Sequence, residues 1–309
     1  MKVSLITTVK DAAEAAGPFL ESLAAQTRAP DEVIVVDGGS TDGTPEVLRR
    51  ADGVTLIEEP GANIARGRNA AIAAATHDVI AATDADCVLD PAWLERLLEP
   101  MEAGADVAMG FYEPIGDGFL QACMASINLP PADEIDPARF LPSARSVAFR
   151  REAIEAAGGY PEWLEIGEDM FVARRWRELG LDLRFAPAAI VRWRLRPSLR
   201  ETWLQYFRYA RGDAVAGMHP ERHAIRFGVY GAAAYAWGSR GALRKAATLV
   251  GAAAYAGRPL RRAWTRFEDP ASRAAAMLAV PVLMATVDLA KMAGYLSGLS
   301  ARSGPAERR

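Results

Sequence analysis

The sequence predicts an α/β fold in which a mostly parallel sheet carries helices on both faces and is followed by a helical C-terminal region. Apolar runs alternate with helical patterns through the first half of the 309 residues, a rhythm that is typical of parallel sheets. One run, EVIVV at residues 32–36, has no polar break, as expected for a strand buried on both faces. Beyond residue 217 the apolar runs become rich in alanine and glycine, and we expect helices there.

The individual elements follow from these runs in chain order. We predict strands over residues 3–9, 32–36, 54–57, 78–83 and 146–149. We predict helices over residues 12–26, 44–50, 64–75, 167–179 and 198–212. Residues 128–142 hold four prolines and several acids, which indicates a surface loop.

The charge of the chain is divided unevenly between two predicted domains. Residues 217–309 carry 14 Lys and Arg against 5 Asp and Glu, a net charge of +9, so residues 1–216 carry −12. We therefore predict a catalytic domain over 1–216 and a basic helical region over 217–309. A basic region indicates an anionic partner. Its arginines lie among apolar residues with few aromatics arranged for stacking, which favours a membrane surface over nucleic acid.

Three apolar runs lie in the basic region, at residues 227–238, 246–257 and 274–287, and Pro281 interrupts the last of them. Each run is shorter than the ~20 residues that span a bilayer. We expect helices that pack on the catalytic domain or lie in the membrane interface, with a short re-entrant hairpin as the alternative. Cys87 and Cys123 fit neither a disulfide framework nor a zinc motif. No leader-like segment is evident, and we expect a cytoplasmic protein at the inner face of the plasma membrane.

Three polar segments follow predicted strands, at residues 7–11, 37–44 and 83–86. Ligands bind at the carboxyl ends of the strands in such sheets, so these segments predict one binding crevice. Asp84 and Asp86 are hard oxygen ligands suited to Mg²⁺ or Mn²⁺, which bridge carboxylates to substrate phosphates. By chance alone an Asp-x-Asp sequence is common, and its position at a strand end is what favours the metal.

The segment after the second strand is suited to a nucleoside. Asp37 can accept hydrogen bonds from a base or ribose, and the glycines after it, including Gly39, let a ligand approach the backbone. Ser40 belongs to the same loop and could instead cap the next helix. Arg66 and Arg68 open a predicted helix, where cations are disfavoured unless an anion binds. A diphosphate would account for them, and solvated surface arginines are the alternative.

An ordered set of segments resembles the inverting family 2 glycosyltransferases of the GT-A fold. The segments are VSLITTVKDAAE, EVIVVDGGSTDGT, NIARGRNAAI, DVIAATDADC and GEDM, spread over roughly residues 1–215. The resemblance implies a GT-A three-layer sandwich with a C-terminal helical appendage. It also implies a nucleotide-diphosphate sugar as donor, Mg²⁺ or Mn²⁺ as cofactor, and a glycan or lipid-linked acceptor in glycan or cell-envelope synthesis.

The same resemblance assigns roles to particular residues. Thr8 and Asp37 would contact the nucleoside, and Arg68 would lie near the donor. Asp84 and Asp86 would form the metal motif, with Asp86 the more direct ligand. Asp169 would be the catalytic base of a single displacement with inversion, accepting the proton of the acceptor hydroxyl. In the absence of the other motifs, acids that stabilise a helix start would be the better interpretation of Asp169.

Two departures from the family pattern bear on these roles. Many members carry a histidine near the end of the domain that helps to hold the metal, and Trp193 occupies that place here. His219 or His223 could substitute, although lone histidines are more often structural. Residues 205–209 (QYFRY) are close to the Gln-x-x-Arg-Trp of processive synthases. The chain lacks the long membrane-spanning helices of those enzymes, so we expect one sugar to be transferred per encounter.

Two other functions are compatible with an α/β sheet and a metal motif. A nucleotidyltransferase would need a Gly-rich, Arg-containing loop after the first strand, and TTVKDAAEAAG lacks the arginine and the early glycines. A non-catalytic nucleotide-binding protein would keep the donor contacts without needing Asp169.

Overall fold

The computed structural model describes residues 1–116 and 118–302. The chain forms two compact units. Unit 1 comprises Met1–Ile115 and Pro131–Arg194, and unit 2 comprises Gly116–Pro130 and Leu195 onward. The predicted boundary between residues 216 and 217 stays a prediction, and residues 303–309 of that predicted region lie outside the described residues.

The strands all belong to unit 1. In chain order they are β1 (Val3–Val9), β2 (Glu32–Asp37), β3 (Val54–Glu58), β4 (Val79–Ala82), β5 (Cys87–Leu89), β6 (Val107–Ile115), β7 (Val147–Arg150) and β8 (Leu183–Arg194).

The helices are divided between the two units. Unit 1 contains α1 (Ala13–Ala24), α2 (Thr44–Arg49), α3 (Ile64–Ala74) and α4 (Trp93–Glu102). Unit 2 contributes α5 (Phe119–Asn128), and unit 1 then resumes with α6 (Arg151–Ala157) and α7 (Glu168–Glu178). The remaining helices form the rest of unit 2: α8 (Leu199–Ala216), α9 (Pro220–Gly238), α10 (Ala242–Arg266) and α11 (Pro270–Arg302).

The eight strands form one sheet in the order β3-β2-β1-β4-β7-β6-β8-β5. β3, β2, β1 and β4 are mutually parallel, whereas β7 is antiparallel to both β4 and β6. The α/β class and the predicted N-terminal strands are confirmed. The mostly parallel sheet is confirmed as well: β6 and β8 are parallel to each other, and of the strands in the described residues only β7 and β5 run opposite to the rest.

The central strands are buried on both faces. Ile6, Ile34 and Ile80 are at most 1% exposed and pack in one core with Phe149 and Trp176. Burying a large apolar side chain stabilises a fold by roughly 1.5–3 kcal/mol, so these strands anchor unit 1. Their rigidity matters for function, because polar segments leave their carboxyl ends.

A glycine permits the close packing of the later strands. A Cβ on Gly110 of β6 would lie 1.9 Å from Oγ of Ser146 and 2.8 Å from the carbonyl oxygen of Ala189. Any side chain there would push β6 away from β7 and β8. The pairing of β6 with β8 shifts register between Met109 and Phe111, beside this glycine.

Unit 2 is helical, as the Ala/Gly-rich runs predicted. α11 approaches α8 closely where Gly294 and Gly298 face it. A Cβ on Gly294 would lie 2.0 Å from the carbonyl oxygen of Phe207, and a Cβ on Gly298 would lie 2.4 Å from that of Arg211. Small residues are what allow two helix backbones to meet this closely. Within the same unit, Asp288 accepts hydrogen bonds from Arg226, Tyr230 and Tyr255, which tie α9 and α10 to α11.

The predicted break at Pro281 is wrong. α11 continues through this proline from Pro270 to Arg302, and Pro281 lies on its exposed side, where the proline costs only local helix hydrogen bonding. The expectation that every apolar run is too short to span a bilayer is also wrong, because the last run belongs to one continuous helix. Over the described residues, α11 alone is long and apolar enough to cross a membrane, although 39% of its most apolar window is buried.

Candidate active site

Two polar loops leave the same edge of the sheet. β1 lies between β2 and β4, and all three strands are parallel, so their carboxyl ends meet. Asp37 is the last residue of β2, and Asp84 follows β4 after a single residue, Thr83. α3 packs against this edge, because a Cβ on Gly67 would lie 2.9 Å from Cγ2 of Thr8. The strand ends therefore gather Thr8, Asp37 and Asp84.

The two carboxylate oxygens of Asp37 differ in their hydrogen bonds. Oδ1 accepts hydrogen bonds from the backbone N–H groups of Gly39 and Ser40, both at 2.7 Å. Oδ2 is buried and has no hydrogen-bond partner in the described part of the chain. A buried carboxylate oxygen without a partner is costly. An N–H of a base or an O–H of a ribose would supply the missing donor.

The loop that holds Asp37 depends on tight backbone geometry. Gly39 has a φ of +92°, which residues other than glycine rarely adopt. A Cβ added to it would lie 3.2 Å from Cα of Pro60. Oγ of Ser40 accepts a hydrogen bond from the Asp11 N–H at 2.8 Å. Ser40 thus binds the loop after β1 to the loop after β2 and does not cap α2, whose N-cap is Gly43.

Arg68 links Asp84 to α7. Its guanidinium donates to the Glu168 carboxylate and, at 2.8 Å, to Oδ1 of Asp84, and it lies 5.4 Å from the centre of the Tyr160 ring. Arg68 is only 4% exposed. Burial alone would lower the pKa of Arg68, but Glu168 and Asp84 raise that pKa above its usual value, so the side chain remains a cation.

Arg66 takes no part in this cluster. Its side chain is exposed and pairs with Glu59 at 2.8 Å. Of the two arginines predicted to meet a diphosphate, Arg68 therefore lies in the site and Arg66 lies on the surface of α3. The anions that accompany Arg68 in the structure are protein carboxylates, a pairing that the sequence reasoning missed because Glu168 is 100 residues away.

Asp169 lies beside this cluster, in the first turn of α7. Oδ1 accepts the N–H of Met170 at 2.7 Å, and Oδ2 accepts the N–H of Ala144 at 3.3 Å. Asp169 is partly exposed, whereas Glu168 is buried and paired with Arg68. Of these two adjacent acids, Asp169 is accordingly the one that an incoming hydroxyl can reach.

The residues after β4 fit a hard divalent cation. Asp84 and Asp86 are both partly exposed, and carboxylate oxygens suit Mg²⁺ or Mn²⁺. Within residues 1–116 and 118–302, no group of three or more His, Cys, Asp or Glu could hold a metal, so further ligands would come from substrate phosphates and water. Burial raises the pKa of the neighbouring Cys87 thiol, and the charges of Asp84 and Asp86 add to the effect.

The two histidines considered as substitutes belong to unit 2. Nε2 of His223 lies 3.0 Å from Oδ2 of Asp213, and its ring stacks on Tyr295 with the centres 3.9 Å apart. His223 is thus part of the packing of unit 2. His219 precedes α9 with a φ of +53°.

Arg145 is a residue of the site that sequence reasoning missed. Its guanidinium lies 4.2 Å from the centre of the Trp193 ring, and its Nε lies 3.5 Å from Oδ2 of Asp84. β7 pairs with β4 in a register that joins Val147 to Ala82, and continuing that register sets Arg145 opposite Asp84. Only the antiparallel pairing could have revealed this neighbour.

Polar residues at the carboxyl ends of β1, β2 and β4 thus lie near a pair of carboxylates and a partly exposed acid, on a sheet with the GT-A fold. The solved structure of a mannosyltransferase, PcManGT from Pyrobaculum calidifontis in complex with GDP-Man and Mn²⁺, has this fold. The match has a TM-score of 0.59 at 20% sequence identity and covers 98% of this chain and 88% of that one.

Sequence comparison leads to the family. The model of Glycosyl transferase family 2 matches residues 4–154. Glycosyltransferase AglE of Haloferax volcanii is 28% identical over 222 residues, which cover 68% of this chain and 72% of AglE. The pre-mycofactocin glycosyltransferase of Mycobacterium tuberculosis is 31% identical over 222 residues, covering 66% of this chain but only 46% of that protein. Residues 4–154 therefore carry a glycosyltransferase family 2 domain, and the chain is similar to known glycosyltransferases over about two thirds of its length.

Proposed function

We propose that this glycosyltransferase moves a sugar from a nucleotide-diphosphate donor to an acceptor hydroxyl with inversion, aided by Mg²⁺ or Mn²⁺. The observation that carries the proposal is the chain of contacts from Asp84 through Arg68 to Glu168. It fixes the acids that follow β4 near the start of α7, where Asp169 is located. A donor-binding group and a base held close together are what a single displacement requires.

The donor would bind along the carboxyl ends of β1, β2 and β4. Oδ2 of Asp37, which lacks a partner in the described structure, would accept a hydrogen bond from the base or ribose. Thr8, Gly39 and Ser40 would line the same pocket. The diphosphate would lie toward Asp84 and Asp86, as the resemblance to family 2 glycosyltransferases implies.

Asp84 and Asp86 would hold the divalent cation, with Asp86 the more direct ligand, as the family resemblance implies. When bound, the cation would offset the negative charge that develops on the departing diphosphate. That PcManGT was solved in complex with GDP-Man and Mn²⁺ supports the use of a divalent metal.

Asp169 would accept the proton of the acceptor hydroxyl as its oxygen attacks the anomeric carbon. The new bond joins that oxygen to the anomeric carbon. The bond from the anomeric carbon to the phosphate oxygen breaks, and its electron pair leaves with the nucleoside diphosphate. Because attack and departure occur on opposite faces, the product has the inverted configuration.

A donor screen tests the proposal. Purified protein is incubated with Mn²⁺ and a panel of nucleotide-diphosphate sugars, and release of the nucleoside diphosphate is measured. We expect one donor to be turned over and the product anomer, read by NMR, to be inverted. Retained configuration would overturn the single displacement. Release of pyrophosphate from a nucleoside triphosphate and a sugar phosphate would instead support a nucleotidyltransferase, which the comparisons do not favour.

We also propose that unit 2 meets an anionic membrane surface, so that the acceptor is a lipid-linked or cell-envelope glycan. α9 and α10 carry large apolar side chains on their exposed surfaces, among them Ile225, Leu243 and Val250, which are 66%, 83% and 71% exposed. Near the turn between these helices, Arg244 lies over the ring of Tyr235 and Lys245 over that of Trp237. Apolar, aromatic and basic side chains together suit a bilayer interface with anionic headgroups.

Vesicle flotation tests the membrane contact. We expect the protein to float with phosphatidylglycerol vesicles, to float less with phosphatidylcholine vesicles, and to lose part of its binding in high salt. Val250→Glu should weaken binding to the vesicles by about tenfold or more, because it places a charge where an apolar side chain would be buried in the membrane interface. Leu179→Glu, an equivalent change on exposed unit 1 surface, is the control. Wild-type protein that floats with neither vesicle would contradict the proposal.

A further inference from the structure

We propose that Trp163 forms a stacking surface for a sugar ring of the acceptor, beside the place where the acceptor hydroxyl meets Asp169. This inference rests on the proposed function and adds a residue to the acceptor side of the site. Trp163 lies in the loop between α6 and α7, just before the helix that carries Asp169. The loop and both helices belong to unit 1.

Trp163 differs from the other aromatic residues of unit 1 in its exposure. It is 47% exposed, whereas every other Phe, Tyr and Trp within residues 1–115 and 131–194 is buried or half-buried. Large aromatic side chains contribute most to stability when they are buried, and Trp163 gives up much of that contribution. Its indole is therefore open to a ligand that has an apolar face of its own.

A tight turn holds Trp163 at the surface. The Leu164 N–H donates to the carbonyl oxygen of Pro161 at 3.0 Å, so Glu162 and Trp163 occupy the two central positions of the turn. Pro161 and Leu164 are buried, while Glu162 and Trp163 are exposed. The centres of turns usually contain small or polar residues such as Gly, Asn, Asp or Ser. The backbone of this turn therefore does not account for a tryptophan at its centre.

Hydrogen bonds from α3 fix the turn in position. Nδ2 of Asn69 donates to the carbonyl oxygen of Tyr160 and to Oε1 of Glu162, both at 2.9 Å, and Oδ1 of Asn69 accepts the Tyr160 N–H at 2.9 Å. Nδ2 of Asn63 donates to the carbonyl oxygen of Glu162 at 2.7 Å. A surface that is already fixed before the ligand arrives loses little conformational freedom on binding.

The indole of Trp163 lies against the first turn of α7. Its ring centre is 5.7 Å from that of Phe171, and the two rings are nearly perpendicular. The Phe171 N–H donates to the carbonyl oxygen of Gly167, and Asp169 lies in the same helical turn. Residues two apart point to different sides of a helix, so Trp163 lies to one side of Asp169. This position suits a sugar ring next to the reacting hydroxyl.

The side chains at the centre of the turn suit a carbohydrate. A pyranose ring presents C–H groups on one face, which pack on an aromatic ring, and hydroxyl groups that need hydrogen-bond partners. Trp163 supplies the aromatic face, and the exposed carboxylate of Glu162 beside it can accept a hydrogen bond from a hydroxyl. A lipid chain would need a wider apolar surface than one side chain offers, so a sugar ring is the occupant that fits.

Transfer to soluble glycosides tests the inference. The acceptors are methyl glycosides of the common hexoses and of their disaccharides, used with Mn²⁺ and the donor that the donor screen identifies. We expect Trp163→Ala to raise the KM of the best glycoside by about 10- to 100-fold while kcat and nucleoside diphosphate binding change little, because the stacking contact is the same before and during transfer. Trp163→Tyr should lie between the two proteins, because it keeps an aromatic face.

Trp264→Ala is the matched control for this experiment. Trp264 is 55% exposed, much like Trp163, but it lies on α10 in unit 2, where the guanidinium of Arg273 packs on its ring. We expect this variant to transfer to the soluble glycosides with the KM of the wild type.

The results distinguish this inference from the proposed function. If Trp163→Ala keeps the wild-type KM, or if wild-type protein releases nucleoside diphosphate from a donor but transfers to no glycoside, only this inference fails. A fall in kcat and in nucleoside diphosphate binding with the rise in KM would show that Trp163 merely supports α7 through Phe171, and would also overturn it. If wild-type protein releases nucleoside diphosphate from no donor, the proposed function fails with it.

Discussion

Replacing Asp169 with asparagine is expected to lower the turnover number by roughly 10²- to 10⁴-fold while the dissociation constant of the donor changes little. Asparagine has nearly the shape of aspartate, and its one carbonyl oxygen can still accept the N–H of Met170, so the start of α7 is preserved and only the longer contact with the Ala144 N–H is lost. It cannot accept a proton from the acceptor hydroxyl. Initial rates at saturating donor, together with calorimetric donor binding, measure the two effects separately.

Glu178→Gln provides the control for this experiment. Glu178 ends the same helix, is exposed, and pairs only loosely with Arg175 at 3.6 Å, so we expect wild-type turnover. Unchanged turnover in Asp169→Asn would remove Asp169 from the mechanism. Loss of donor binding together with turnover would make Asp169 a donor ligand and not the base.

Replacing Arg68 with alanine is expected to lower the free energy of unfolding by about 3–5 kcal/mol, because it leaves buried Glu168 without its cation. Asp84 would lose its shorter arginine contact in the same step. The matched control is two residues away on the same helix: Arg66→Ala removes only an exposed pair with Glu59 and should cost less than about 1 kcal/mol.

Urea denaturation of the two arginine variants measures this difference. The comparison is strong because both substitutions delete the same side chain from α3, and they differ in burial and partners. Similar small losses in both variants would mean that the contacts of Arg68 with Glu168 and Asp84 do not hold α7 against the sheet. The positioning of Asp169 would then need another explanation.

The sequence predicted the parts of the site that depend on local signals. Asp37 and Asp84 each follow an apolar β-branched or alanine-rich run, and the ends of parallel strands meet wherever such runs are neighbours. α3 was predicted from its periodicity, and Asn63 caps it by accepting the Arg66 N–H. These features need no knowledge of distant residues.

The features that were not predicted depend on distant pairing. β8 contains Pro187 and alternates apolar residues with arginines, so its pattern is weak until β6 and β5 pair with it. The contact of Arg68 with Glu168 joins positions 100 residues apart. The antiparallel register of β7 with β4 is what places Arg145 beside Asp84. The continuous α11 was missed because a proline usually ends a helix, whereas Pro281 lies on an exposed side.

The most direct measurement is the effect of Mn²⁺ on nucleoside diphosphate binding, by calorimetry, in wild-type protein and in Asp86→Asn. If acids from separate strand ends hold a cation and a diphosphate together, Mn²⁺ will tighten binding in the wild type by about tenfold or more and will have little effect in the variant. Wild-type protein that binds no nucleoside diphosphate, or a variant that responds to Mn²⁺ as the wild type does, would contradict this.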